Sequence, residues 1–296
     1  MAFDFSQIKS WTIPEGEVQS VSIGGVVVWS ASALDVLAVP TISLDESLLT
    51  MSTTDTRTEE FVVFVDGEEK ATVSAIEYTS GMVYEPGEDE NGEIISYTCV
   101  GIGDATDNVI HIPKYISSED GIDDIPVTAI GYRAFRKAAI TGIVIPDTVT
   151  IIGEEAVYGS PTLQKIIVQG ITEICESAFA GNRELHTVNL NDNIDVIGSG
   201  AFRGCVNLKK ITLPNKLKSL AYKVFAGSGL TEIVIPNSVK KIGTSAFASC
   251  KSLTSITFKG TADDWNAIEI SSSLWHYDVP AKEVVCADGT VIDITR

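Results

Sequence analysis

The sequence repeats itself every 22 or 23 residues. Ala-Phe pairs stand at Ala134-Phe135, Ala178-Phe179, Ala201-Phe202 and Ala246-Phe247, and Ala156-Val157 and Val224-Phe225 fill the gaps in the same register. The second residues fall at 135, 157, 179, 202, 225 and 247. One coil of this length cannot bury its own apolar edge. Stacked coils bury it against their neighbours, so a chain with this period folds as a solenoid rather than around one closed core.

Each period has the same internal grammar. A Leu or Ile follows the pair by five or six residues: Ile140, Leu163, Leu185, Leu208, Leu230 and Leu253. Alternating apolar residues come next, Ile143/Ile145, Ile166/Val168, Val188/Leu190, Ile211/Leu213, Ile233/Ile235 and Ile256/Phe258. Period-two alternation predicts a strand with one buried face. Pro146, Pro214 and Pro236 end three of these strands. A second apolar pair follows, such as Val149/Ile152 and Val239/Ile242, with Gly153, Gly198 or Gly243 after it. Ile110/Ile112, Pro113, Val127, Ile130 and Gly131 read as an opening coil with an acidic insertion. Seven strands at about 4.8 Å spacing predict a parallel ladder about 30 Å long.

The grammar L-x-x-I-x-I-P…V-x-x-I-G-x-x-A-F-x-x-C, as in GSGAFRGCVNLKKITLP and GTSAFASCKSLTSITF, resembles the BspA-like class of bacterial leucine-rich repeats over about residues 94–260. The resemblance implies a mainly β fold with short helical turns, a leucine-rich-repeat solenoid, and adhesion to or binding of proteins or glycans. Cys205 and Cys250 fall at its A-F-x-x-C position, and Cys175 replaces the Gly after the second apolar pair. All three read as small buried residues. The coil over 153–175 departs from the pattern, with Val157 for Phe and Gln169-Gly170 for Pro.

The flanks differ from the repeats. Thr261-Ala-Asp-Asp264 has the form of a helix start, predicting a short helix through Ile268, and a final strand over 282–285 completes a C-terminal cap at 261–296. At the other end, 1–33 reads as a small antiparallel β unit, with strands over 8–13, 18–23 and 26–29. Its string WTIPEGEV…SIGGVVVW resembles the N-termini of phage tail or virion-associated proteins. Residues 34–76 resemble a short immunoglobulin or fibronectin type III module, with a hairpin at Asp66-Gly67. Residues 77–130 then form an acidic N-terminal cap and opening coil, and 131–260 the repeats.

Charge narrows the partners. Forty acids against 21 Lys and Arg give a net charge of −19, which disfavours nucleic acid. Residues 81–124 alone contribute −10, while the repeats are mixed in sign. The start MAFDFSQIKS lacks a basic segment followed by an apolar one, so no secretory leader is expected, and no segment has the roughly 20 apolar residues of a membrane span. Cys99, Cys175, Cys205, Cys250 and Cys286 lack C-x-x-C spacing, which argues against a disulfide framework or zinc site.

No motif points to catalysis. The three histidines, His111, His186 and His276, belong to no H-E-x-x-H pattern, and G-x-S-x-G and phosphate-loop motifs are absent. Gly101-Ile-Gly103 lacks a third glycine. The acidic runs at 88–93 and 117–124 invite calcium but do not follow the spacing of a twelve-residue calcium loop, and read as solvated loops. No catalytic residue, metal or cofactor is therefore expected. The candidate site is a surface. The residue between two buried strand positions points outward, which gives the row His111, Val144, Ile167, Asn189, Thr212, Val234 and Thr257. Val144, Ile167 and Val234 are apolar there, as on a recognition face; β-branched residues also simply suit strands. The expected function is non-enzymatic recognition, on a phage or prophage tail joined to a larger assembly through the N-terminal β unit. Alternatives are a bacterial cell-surface adhesin, a glycan-active enzyme on a solenoid, and an intracellular scaffold.

Overall fold

The computed structural model describes strand segments between residues 2 and 75, then residues 79–117 and 124–295. The chain divides into two units, Met1–Tyr78 and Thr79–Arg296.

In the first unit, Ser20–Ile23 pairs antiparallel with Val26–Ser30, and Glu60–Val65 with Glu68–Ala75, as the turn signals between them predict. The other pairings cross the boundary drawn from sequence at residue 33. Ala2–Asp4 pairs with Thr41–Ser43, and Ile8–Thr12 lies beside Glu68–Ala75. Strands from 1–33 and 34–76 thus belong to one unit. The cause is long-range strand pairing, which local pattern does not encode.

The second unit is a leucine-rich-repeat solenoid with two parallel ladders. The first runs through Val109–His111, Gly142–Ile145, Lys165–Val168 and Thr187–Asn189, and resumes with Glu232–Ile235, Ser255–Phe258 and Glu283–Cys286. The second runs from Ile94–Gly101 through Asp124–Ile130, Ile151–Ile152, Glu173–Ile174 and Val196–Ile197, then resumes with Ser219–Leu220, Lys241–Ile242 and Glu269–Ile270. Both ladders break at the same step, between the coil ending near 197 and the coil that follows it. Residues 209–213, expected as a strand, form none. Ile211 and Leu213 nevertheless stay buried, at 5% and 3% exposure, so the break is in hydrogen bonding and not in packing.

A column of rings crosses that gap. Phe179 stacks on Phe202 at 5.5 Å, Phe202 on Phe225 at 5.7 Å and Phe225 on Phe247 at 5.6 Å, with ring planes within 16° of parallel. All four rings are fully buried, each contributing about 1.5–3 kcal/mol of hydrophobic stabilisation. The alanines beside them are small because each return segment lies against the next: Phe179 N donates to Ala201 O at 3.0 Å and Phe225 N to Ala246 O at 2.9 Å.

The return turns use left-handed backbone at two places per coil. One falls just before the pair, at Arg133, Glu155, Ser177, Gly200, Lys223 and Ser245. The other falls two residues after it, at Lys137, Gly159, Gly181, Gly204, Gly227 and Ser249. Glycine reaches that region without strain and other residues at a cost of about 1–2 kcal/mol, so the stacked coils hold several side chains in a conformation they disfavour.

A third column lies three residues after each ring position from Val157 onward and carries Ser160, Asn182, Cys205, Ser228 and Cys250, all buried. Ser160 Oγ donates to Ala138 O. Asn182 Nδ2 donates to Val157 O at 2.8 Å, Cys205 Sγ to Phe179 O at 3.3 Å and Cys250 Sγ to Phe225 O at 3.0 Å. These donors satisfy buried carbonyls that no strand partner reaches. Cys205 and Cys250 are therefore buried as expected, but serve as donors and not only as small apolar filling. Cys175 differs: it lies outside this column and is half-buried.

Antiparallel strands close both ends. Val83–Glu88 covers the edge of Ile94–Gly101, and Thr79 exchanges hydrogen bonds with His111 at the edge of the first ladder. At the C-terminus, Val291–Asp293 pairs with Glu283–Cys286. The expected cap is itself a further coil. Ile256 lies beside Val284 and Ile242 beside Ile270, a step of 28 residues in both ladders where the repeats use 22 or 23. The inserted residues hold the helix Ala262–Asn266, shorter than expected, whose N-cap Thr261 and Asp264 form a capping box. Trp275 ends the ring column edge-on at 6.0 Å from Phe247.

Candidate functional site

Alternation along each strand fixes which side chains leave the core, and ladder register fixes which of them meet. Of the predicted row, His111, Val144, Ile167 and Asn189 are direct cross-strand neighbours. Val234 and Thr257 are neighbours in the second stretch of the ladder. Thr212 lies exposed in the segment that forms no strand, so the row is two patches and not one.

The patches differ in exposure. Val144 and Ile167 are each only 4% exposed, which corrects the expectation that they present an apolar surface to solvent. Val234 is 40% exposed and Thr257 partly so. This second patch continues past the predicted row. Thr257 is opposite Val285, at 39% exposure, and Val285 is opposite Val291, at 52%. Four in-register residues thus form a stripe on the C-terminal part of the first ladder. Sequence reading missed Val285 and Val291 because the 28-residue step hides their register; the alternation in Glu283–Cys286 and the Asp288-Gly289 turn signal were the available clues.

Two residues before Val234, Thr257 and Val285, and two after Val291 on its antiparallel strand, lies a polar border. Glu232 is opposite Ser255, and Glu283 opposite Asp293. Glu232 is held by Lys210 at 2.6 Å. The stripe is therefore apolar at its centre with carboxylates along one side.

The histidines occupy separate places: His111 on the first ladder, His186 before the strand Thr187–Asn189, and His276 in the last coil. A shallow cavity of about 600 Å³ near His276 is lined by Leu274, Tyr277, Lys251 and Lys282 among others. His276 Nε2 lies 2.7 Å from Ile294 O and so donates to it, and burial pushes the imidazole below its usual range. Among the described residues, no group of three or more His, Cys, Asp or Glu side chains could hold a metal ion. In the 88–93 run, Asp89 accepts hydrogen bonds from the backbone N–H groups of Asn91 and Glu93. The run at 117–124 lies mostly outside the described residues. Burial pushes the Cys99 and Cys205 thiols up to about 12, far from the range of a nucleophile.

Residues 128–254 match the BspA type leucine rich repeat region in six copies. The pneumococcal vaccine antigen PcpA is similar over 73% of this chain and 53% of its own, with 21% identity and a TM-score of 0.50. A leucine rich cell surface protein of Faecalibacterium prausnitzii is 23% identical over 74% of this chain and 61% of its own, with a TM-score of 0.47. A leucine-rich-repeat protein of T. pallidum is 24% identical over 57% of this chain and 87% of its own, with a TM-score of 0.42. The chain spans less than two thirds of the length of the first two. No curated protein matches the sequence. Among the described residues, no helix is long and apolar enough to cross a membrane.

Proposed function

We propose that this is a non-enzymatic recognition protein that binds a partner on the exposed stripe Val234, Thr257, Val285 and Val291. The observation that carries the reading is the contrast along one ladder. The same outward row is covered at Val144 and Ile167, exposed but polar at Asn189 and Thr212, and exposed and apolar at Val234, Val285 and Val291, with carboxylates along its border. An exposed apolar patch with a polar rim has the composition of an interaction surface. BspA type repeats and the fold shared with a pneumococcal antigen favour an adhesin at a bacterial surface, where the partner is a protein or glycan of another cell. A place on a phage tail, attached through the first unit, rests on the string Trp11 to Trp29 alone and is the lesser reading.

Binding of the purified chain to bacterial cells tests this. Val234→Gln with Val285→Gln should abolish cell binding with an unchanged circular dichroism melt. Undiminished binding in that folded variant would remove this face from the account.

A further inference from the structure

The net charge of −19 conceals an inversion. Residues 196–260 hold ten Lys and Arg, namely Arg203, Lys209, Lys210, Lys216, Lys218, Lys223, Lys240, Lys241, Lys251 and Lys259, against one acid, Glu232. That is a local charge of +9 in a strongly acidic protein. The solenoid gathers part of it at one corner, where the chain leaves the first ladder through Pro214 and Pro236 and turns toward the second.

Lys216, Lys218, Lys240 and Lys259 meet there from three successive coils, all exposed. Lys240 N donates to Lys218 O at 2.9 Å, which stacks these two residues on one another. The ammonium groups rest on asparagines. Lys216 Nζ donates to Asn193 Oδ1 at 3.2 Å, Lys240 Nζ to Asn237 Oδ1 at 3.4 Å and Lys259 Nζ to Asn215 Oδ1 at 3.5 Å. None of the four forms an ion pair among the described residues. Of the nearby acids, Asp192 accepts from Asn215, Glu269 holds Lys241 at 2.6 Å, and Asp264 caps its helix while also feeling the charge of Lys240. Asp195, exposed, lies at the rim.

We infer that this corner binds an anionic polysaccharide, with the lysines on its carboxylate or sulfate groups and the asparagine side chains on its hydroxyls. The coils advance by about 4.8 Å each, so the cations form a short track about 10 Å long that suits a chain with regularly spaced charges. Interleaved amides offer both donors and acceptors, which hydroxyl-rich chains can use. Arginine forks and aromatic platforms, the usual partners of phosphates and bases in nucleic acid, are absent from this corner. The corner adjoins the valine stripe, Lys259 following Thr257 by two residues, but the inference does not depend on the stripe.

The test measures binding of the full chain to dextran sulfate and polygalacturonate, with uncharged dextran and a single-stranded oligonucleotide alongside. Binding to one or both anionic polysaccharides, weakening with salt, is expected; which one binds tells sulfate from carboxylate. Lys216→Gln, Lys240→Gln and Lys259→Gln together should weaken it by about tenfold or more, three exposed charge contacts being lost. Lys223→Gln with Lys251→Gln, removing charge elsewhere, should leave it within about twofold. Val234→Gln with Val285→Gln should also leave it intact, so failure of the stripe and failure of this corner are read separately. No salt-dependent binding, or undiminished binding by the folded triple variant, overturns the inference. Oligonucleotide binding as tight as that of the polysaccharides overturns the assignment to a glycan.

Discussion

Replacing Phe202 by alanine should split the solenoid into two units that unfold separately. Phe202 sits where both ladders are interrupted. Across that step run the ring pair Phe179–Phe202 at 5.5 Å, the hydrogen bonds from Ser177 N to Ser199 O, Phe179 N to Ala201 O and Gly181 N to Arg203 O, the Cys205 thiol, a long Lys218 N to Asp195 O bond at 3.4 Å, and the buried apolar residues on either side, Ile211 and Leu213 among them. Truncating a buried Phe costs about 3–5 kcal/mol, and here it also removes stacking on both sides. In a repeat protein, stability is a sum of coil terms and neighbour terms, so a loss of this size at the weakest neighbour term uncouples the halves. Phe247→Ala is the control. It should cost a similar amount, but its coil is tied to its neighbours by Glu232–Ile235, Ser255–Phe258 and Glu283–Cys286 on one ladder and by Lys241–Ile242 and Glu269–Ile270 on the other. Native-state hydrogen exchange by mass spectrometry reads both outcomes. In Phe202→Ala, peptides from 126–197 and from 215–286 should report different opening free energies; in Phe247→Ala they should remain coupled. One shared opening energy in Phe202→Ala, or a loss below about 1.5 kcal/mol, would refute the reasoning.

Three further outcomes follow from the same geometry. Ser249→Gly, at a left-handed position where four sibling coils already carry glycine, should raise stability by about 0.5–1 kcal/mol in urea titration, and Gly181→Ala should lower it by about 1 kcal/mol. Iodoacetamide should modify Cys175 in the native protein and reach Cys205 and Cys250 only after denaturation; prompt native labelling of Cys205 would contradict the buried donor role. Because the folded His276 imidazole titrates below its unfolded value, the unfolded chain binds more protons between the two. Stability contributed by the neutral ring is therefore complete above about pH 6.5 and is lost as pH falls toward the folded value. His276→Gln should flatten the melting temperature across that window, and an unchanged slope would argue otherwise.

The repeat made the solenoid legible, because Ala-Phe spacing and strand alternation are local patterns that stacking enforces at every coil. The features that stayed hidden depend on neighbours. Arg133, Glu155 and Ser249 give no sign of left-handed backbone, since the stacked turns impose it. Ile211 and Leu213 keep the strand alternation, so their missing ladder bonds are invisible in sequence. Val144 and Ile167 look identical in kind to Val234, and only the folded surroundings cover the first two. The last coil escaped notice because an inserted helix shifts its register to 28 residues, which moved Val285 and Val291 out of the predicted row. The lysine corner lies on three coils that are distant in the sequence and adjacent in space.

Recognition is assigned to the exposed C-terminal stretch of the first ladder and not to its covered N-terminal stretch. Cell-binding titrations of two folded variants test it most directly. Val234→Gln with Val285→Gln should lose binding by about tenfold or more, as truncating the centre of an interface does. His111→Gln with Asn189→Ala, altering the flanks of the covered stretch, should bind as the unchanged chain does. Equal binding by the first variant, or loss confined to the second, would contradict the account.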